Sequence, residues 1–90
     1  MRFIWDADKA ASNITKHGVS FEEASSVFFD AFALEAPDLA DSDRTIVIGM
    51  SARHRILFVV TAIHEAHDVV RILSARRASP TQRRKYEEAP

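Results

Sequence analysis

The sequence predicts a single α+β domain with the element order β-α-α-β-β-β-β-α. Two segments near the N-terminus carry apolar residues at helical spacing behind polar caps. Apolar runs in the second half are separated by turns too short to hold a helix. A Ser-Pro pair then opens a final helix. Ninety residues suit one domain. Strands joined by short turns form antiparallel meanders, so an antiparallel sheet is expected, with the helices packed on one face.

Arg2 to Trp5 reads as a short strand. Asp6 follows as a helix N-cap, because its carboxylate can accept the free amides of the next turn. The helix runs to about Lys16, with Ala7, Ala10, Ala11 and Ile14 as its apolar stripe. Lys16 and His17 place positive charge in the last turn, and Gly18 lets the chain leave through a left-handed conformation. Ser20 and Glu23 have capping-box spacing at the start of a second helix. Its apolar face is Phe21, Ala24, Val27 and Phe28, and it ends near Asp30. Phe32 to Ala36 reads as a strand and Pro37 to Asp43 as an acidic loop. Thr45 to Met50 is a strand, and Ser51 to His54 a turn. Arg55 to Ile63 is a central strand, because its ILFVV run is apolar on both faces. His64 to His67 is a turn, and Val69 to Ala75 the last strand. Ser79 caps the final helix, Pro80 takes its first position, and Gln82 completes a capping box.

The net charge of −1 conceals segregation. Gly18 to Asp43 holds seven acidic residues and no basic one, whereas Arg71 to Lys85 holds six basic residues and no acidic one. Such asymmetry speaks of partners rather than fold. There is no Cys, which excludes a disulfide scaffold, a thiolate zinc site and a thiol nucleophile. No apolar run reaches the length of a membrane helix, and MRFIWDADK lacks a signal-peptide core, so a cytoplasmic protein with no membrane partner is expected.

The segment VRILSARRASPTQRRKYEE carries the most chemistry. Arg76 and Arg77 end the last strand, and Arg83, Arg84 and Lys85 follow on the helix. Guanidinium groups bind phosphate bidentately, and a nearby helix N-terminus adds amide donors. Strict alternation puts Arg76 on the strand face opposite Arg71 unless a bulge intervenes. Tyr86, three residues after Arg83, shares its helix face. Spacing alone favours a solvated, salt-bridged terminal helix over a binding site. Lys16 and His17 form a second candidate, either a proton-transfer pair or a helix C-cap. His54, His64 and His67 fall in turns without a zinc-ligand pattern, and no metal or cofactor is expected. Glu22, Glu23 and Asp30 read as helix-start and surface charges. Trp5 and Phe21, Phe28, Phe29, Phe32 and Phe58 read as core, although each offers a face for base stacking.

The run FIWDADKAASNITKHGVSFEEASSVFFD resembles the N-terminal half of BrnT toxins, with its W-D-x-x-K start and its N-x-x-K-H-G-V-S-F-E-E-A segment. The likeness continues through IVIGMSARHRILFVV and RILSARRASPTQRRKYEE and covers nearly the whole chain. The resemblance implies a RelE-like fold and a ribonuclease toxin of a type II toxin–antitoxin pair. It further implies neutralisation by a BrnA-type antitoxin, through which operator DNA would be bound. Gln82 stands where the family usually has Glu, and a capping role would suit either residue. Metal-free RNA cleavage requires a base for the ribose 2′-OH, an acid for the leaving oxygen and cations for the phosphate. On that reading Lys16, His17, Arg76, Arg83 and Tyr86 are the candidate catalytic residues. Arg71, Arg77, Arg84 and Lys85 are the candidate RNA-binding ones. A different class, a non-enzymatic nucleic-acid- or ribosome-binding co-regulator, would bind salt-sensitively without turnover.

Overall fold

The computed structural model describes residues 1–89 and has three α-helices and one five-stranded sheet. The strands are β1 (Arg2–Ile4), β2 (Leu34–Pro37), β3 (Thr45–Met50), β4 (Ile56–His64) and β5 (Val69–Arg77). The helices are α1 (Ala7–His17), α2 (Phe21–Ser26) and α3 (Pro80–Glu88). A 3-10 turn, Val27–Phe29, replaces the last part of the expected second helix.

The sheet order is β1-β5-β4-β3-β2. The β2 to β5 run is the expected antiparallel meander, but β1 pairs parallel with β5, so the sheet is mixed. The physical reason is connectivity. Two helices separate β1 from the meander, and a helical connection can return the chain along a parallel path that a short turn cannot.

The caps of α1 and α3 form as the spacing dictates, but at α2 only half of the expected capping box does, because the Glu23 side chain turns to Ser51 and Arg55 instead of the Ser20 amide. Asp6 accepts from the Lys9 amide at 3.0 Å, and Ser20 Oγ from the Glu23 amide at 3.0 Å. Gly18 leaves α1 at φ +67°, where a side chain would be strained. Ser79 and Gln82 form a complete capping box.

The core lies between one sheet face and α1, α2 and the 3-10 turn. It contains Val19, Phe21, Ala24, Val27, Val47, Leu57, Val59, Val70 and Ile72. Each large side chain removed from water there contributes about 1.5–3 kcal/mol. Trp5 meets the Phe21 ring edge-on, with centroids 6.0 Å apart. Gly49 lets the 3-10 turn lie close on β3. A Cβ there would stand 3.1 Å from Ala33 Cβ and 3.2 Å from Val27 Cβ.

Four expectations are corrected. The buried side chain of α1 is Asn13, while Ala7 and Ala11 are exposed and Ile14 is 51% exposed. Asn13 donates to the carbonyls of Val19 and Ala75, both at 2.8 Å, and accepts from the Ala75 amide. It docks α1 on β5 through backbone that no apolar residue could satisfy. Next, β5 carries a bulge. Val60 pairs with Ser74 and Thr61 with Ile72, which leaves Leu73 unpaired and resets the alternation. Arg71 and Arg76 therefore share a face, opposite Ala62 and Phe58. Third, α3 does not join the other helices. It packs near β3, and its Gln82 accepts from Arg76, which projects from the face opposite the core. Last, Phe29 and Phe32 are 77% and 74% exposed, whereas Phe21 is buried and Phe28 packs against the core.

Candidate active site

One end of the sheet gathers most of the chemistry-bearing residues. There β3 ends, β4 begins, β5 ends and α3 starts, and the C-terminus of α1 stands beside them. The β3–β4 turn, Ser51 to Arg55, is tied by its own backbone. The Ser51 amide donates to the Arg55 carbonyl at 2.8 Å, and the His54 amide to the Ser51 carbonyl at 2.9 Å. Ser51 Oγ accepts from the amides of Arg53 and Arg55. This closure holds His54 at φ +60°, a left-handed conformation that costs a non-glycine residue about 1 kcal/mol or more. The strain fixes where the exposed imidazole side chain emerges.

Beneath the turn lies a buried acid. The Glu23 side chain is only 4% exposed. It accepts from Ser51 Oγ at 2.7 Å and Arg55 Nε at 2.9 Å, and it pairs with a second Arg55 nitrogen. Hydrogen bonding from Arg55 holds the Glu23 carboxyl below its ordinary range, against the opposing effect of burial, and raises the Arg55 pKa in turn. Arg55 also donates to the Gly18 carbonyl at 3.1 Å. One guanidinium thus joins α2, the β3–β4 turn and the end of α1, where Lys16 and His17 are exposed.

Asp30 anchors the opposite wall. Its carboxylate accepts from the Met50 amide at 2.8 Å, the Phe32 amide at 3.0 Å and Tyr86 Oη at 2.6 Å. Burial pushes the Asp30 pKa up, but these three donors outweigh it and the net shift is downward. Burial, with the bond to Asp30, pushes the Tyr86 hydroxyl up to about 12. Tyr86 is therefore a committed donor that holds α3 to the corner before β2.

Two clefts open around these anchors. A narrow one of about 190 Å³ is lined by His54, Arg55, Arg77, Arg83 and Glu87, together with Met50, Ile56 and Ala78. A wider, more apolar one of about 630 Å³ is lined by Phe29, Asp30, Phe32, Met50, His54 and Tyr86. They share Met50 and His54, so the imidazole stands where they adjoin. Arg77 makes no ion pair among the described residues, and Arg83 has only a 3.8 Å contact with Glu87. The depression at the other end of the sheet has Arg2 and His67 beside Asp68, which the N-terminal ammonium already meets at 2.7 Å.

The expected site residues divide accordingly. Arg77 and Arg83 come together in the narrow cleft. Arg76 lies on the other sheet face, with its guanidinium 4.3 Å above the Phe58 ring and a 3.0 Å hydrogen bond to Gln82. Tyr86 lines the wide cleft. Arg84 and Lys85 are exposed on α3. Arg71 pairs with Ala62 and Ile4, several residues down β5 from this end. Sequence reasoning missed His54 and Arg55. Their signal was a basic R-H-R tripeptide inside a hairpin turn, where a side chain at a strained position can be presented. Among the described residues, no three His, Cys, Asp or Glu side chains group closely enough to hold a metal ion, and no helix is long and apolar enough to cross a membrane.

Comparison with known proteins agrees with this architecture. No curated protein matches the chain. The crystal structure of the Brucella abortus ribonuclease toxin BrnT, at 1.1 Å resolution, is similar to it with a TM-score of 0.71 and 28% identity. That similarity covers 88% of this chain and 97% of the Brucella one. A family model described as the ribonuclease toxin BrnT of type II toxin–antitoxin systems matches residues 5–82. The chain therefore belongs to the BrnT family of ribonuclease toxins, whose type II systems pair the toxin with an antitoxin.

Proposed function

We propose that this chain cleaves RNA by attack of a ribose 2′-OH on the adjacent phosphate, using its own side chains for proton transfer and charge stabilisation. The observation that carries the reading is the narrow cleft in which His54, Arg77 and Arg83 converge. In this mechanism His54 takes the 2′-OH proton. Arg77 and Arg83 bind the phosphate and stabilise the charge that grows on it in the transition state. Lys16 and His17, tied to the same end through Gly18 and Arg55, supply the second proton-transfer position, for the 5′-leaving oxygen. Arg76, Gln82 and Tyr86 hold α3 so that Arg83 faces the cleft. Arg84 and Lys85 attract the RNA backbone from outside the cleft, and Arg71 extends the basic surface along β5.

A BrnA-type antitoxin neutralises the protein by covering the Arg77–Arg83 end with acidic residues, and it brings the complex to operator DNA through its own DNA-binding domain. Two charged groups with few internal partners present a ready target for such complementarity.

Growth arrest on expression, together with RNA decay by the purified protein, tests the assignment. Arg77→Ala, Arg83→Ala and His54→Ala should each slow cleavage by about 100-fold or more, the usual cost of losing one transition-state contact. Unchanged rates in folded variants would remove these residues from the mechanism.

A further inference from the structure

Phe29 and Phe32 are the unusual feature of this surface. Both rings are about three-quarters exposed, at 77% and 74%, in a chain that has only six phenylalanines with which to build a core. Large apolar groups left in water in pairs call for a partner. Their support is rigid. Asp30, between them in sequence, accepts from the Phe32 amide, the Met50 amide and Tyr86 Oη, and its own carbonyl accepts from the Ala33 amide. Phe29 also meets Phe3 at a steep angle, with centroids 6.2 Å apart, and still remains largely exposed.

The chemistry of the wide cleft selects what can enter. Asp30 is ionised near neutral pH, since its carboxyl is held below the ordinary range. It repels a phosphate, but it does not repel a neutral ring that carries N–H donors. The phosphate-binding guanidiniums stand in the adjoining cleft, across His54. A chain of alternating phosphates and flat bases fits that division, with phosphate beside Arg77 and Arg83 and base beside Phe29 and Phe32. A duplex does not fit, because its bases are already stacked on one another and cannot turn outward.

We infer that Phe29 and Phe32 form a base-stacking subsite, so that the protein takes single-stranded RNA with a nucleobase flanking the scissile phosphate held in the wide cleft. The inference rests on the cleavage reading for the position of the phosphate. Stacking on an aromatic ring is tolerant of base identity, so the subsite selects strandedness more than sequence.

The test is equilibrium binding of a short, uncleavable 2′-O-methyl RNA strand to the full chain, followed by fluorescence anisotropy at several salt concentrations. The Phe29→Leu/Phe32→Leu double variant keeps apolar bulk but lacks a flat π face, and Phe29→Ala/Phe32→Ala removes both. Each should bind about 10-fold or more weakly, with the slope of affinity against salt unchanged, because the phosphate contacts remain. Weak binding of duplex RNA should be the same in all three proteins. Parental affinity in the variants would overturn the proposal. So would variants that bind and cut RNA normally but lose capture by the antitoxin, which would make the rings a protein contact. The two readings fail separately. Ring-dependent binding without any cleavage sinks the nuclease mechanism alone, whereas normal cleavage by the double variants sinks the stacking subsite alone.

Discussion

Glu23 occupies two structural roles at once. Its amide completes the local cap with Ser20, as the spacing predicts. Its carboxylate, expected at the surface, instead reaches across to Arg55 and Ser51, more than twenty-five residues away in sequence. Capping chemistry is local and can be read from spacing, but a partner supplied by another strand leaves no trace in it. The pair is a dependency more than a gain, because a buried charge is tolerated only while its partner is present. Glu23→Ala should cost about 3 kcal/mol by leaving Arg55 poorly paired beside Gly18 and Ser51, measured by denaturant unfolding at neutral pH. The pH dependence has a definite sign. Because the folded carboxyl has the lower pKa, its contribution is complete above the ordinary glutamate value and is lost as pH falls through the folded one. Asp30 acts in the same direction. Glu23→Gln should therefore flatten the acid limb of the stability profile. An acid limb as steep as the parent's would show that the pair does not control it.

At the scale of elements, α1 shows where periodicity misleads. The Ala7, Ala10, Ala11 and Ile14 stripe has the right spacing, yet the helix turns a face containing Asn13 to the sheet. Three small alanines add little driving force, so three hydrogen bonds to otherwise orphaned backbone decide the rotation. Asn13→Ala should lose about 2–4 kcal/mol, from two carbonyls and one amide left without partners. Amide hydrogen exchange at Ala75 should rise with it, and unchanged protection there would argue against the docking role. The bulge at Leu73 was equally hidden, because the residues on both sides of it are ordinary strand formers. Its effect on the candidate site is direct, since it sets which arginines share a face. By contrast, α3 was legible down to its cap, because the capping box of Ser79 and Gln82 and the Pro80 start are local to four residues. What the spacing omitted is the other partner of Gln82, the Arg76 guanidinium.

For the molecule as a whole, the fold class, the element order and the meander could be read from the sequence, because caps, turns and apolar runs are short-range signals. The parallel pairing of β1 with β5 could not, since it depends on where two helices return the chain. The basic C-terminal cluster was visible as composition, but only the fold divides it. Arg77 and Arg83 enter one cleft, Arg76 braces α3 from the other face, and Arg71 lies farther along β5. His54 gained its place from a turn closed by its own backbone and by Ser51, which the buried Glu23 carboxylate anchors from another element. The central claim is that this converging end performs 2′-OH attack with protein side chains alone. The most direct measurement is the chemistry of the RNA ends left by the purified chain in the presence of a strong metal chelator. Cleavage that persists and leaves 2′,3′-cyclic phosphate with 5′-hydroxyl ends is the predicted result. Cleavage abolished by the chelator, or products bearing 5′-phosphate, would contradict it.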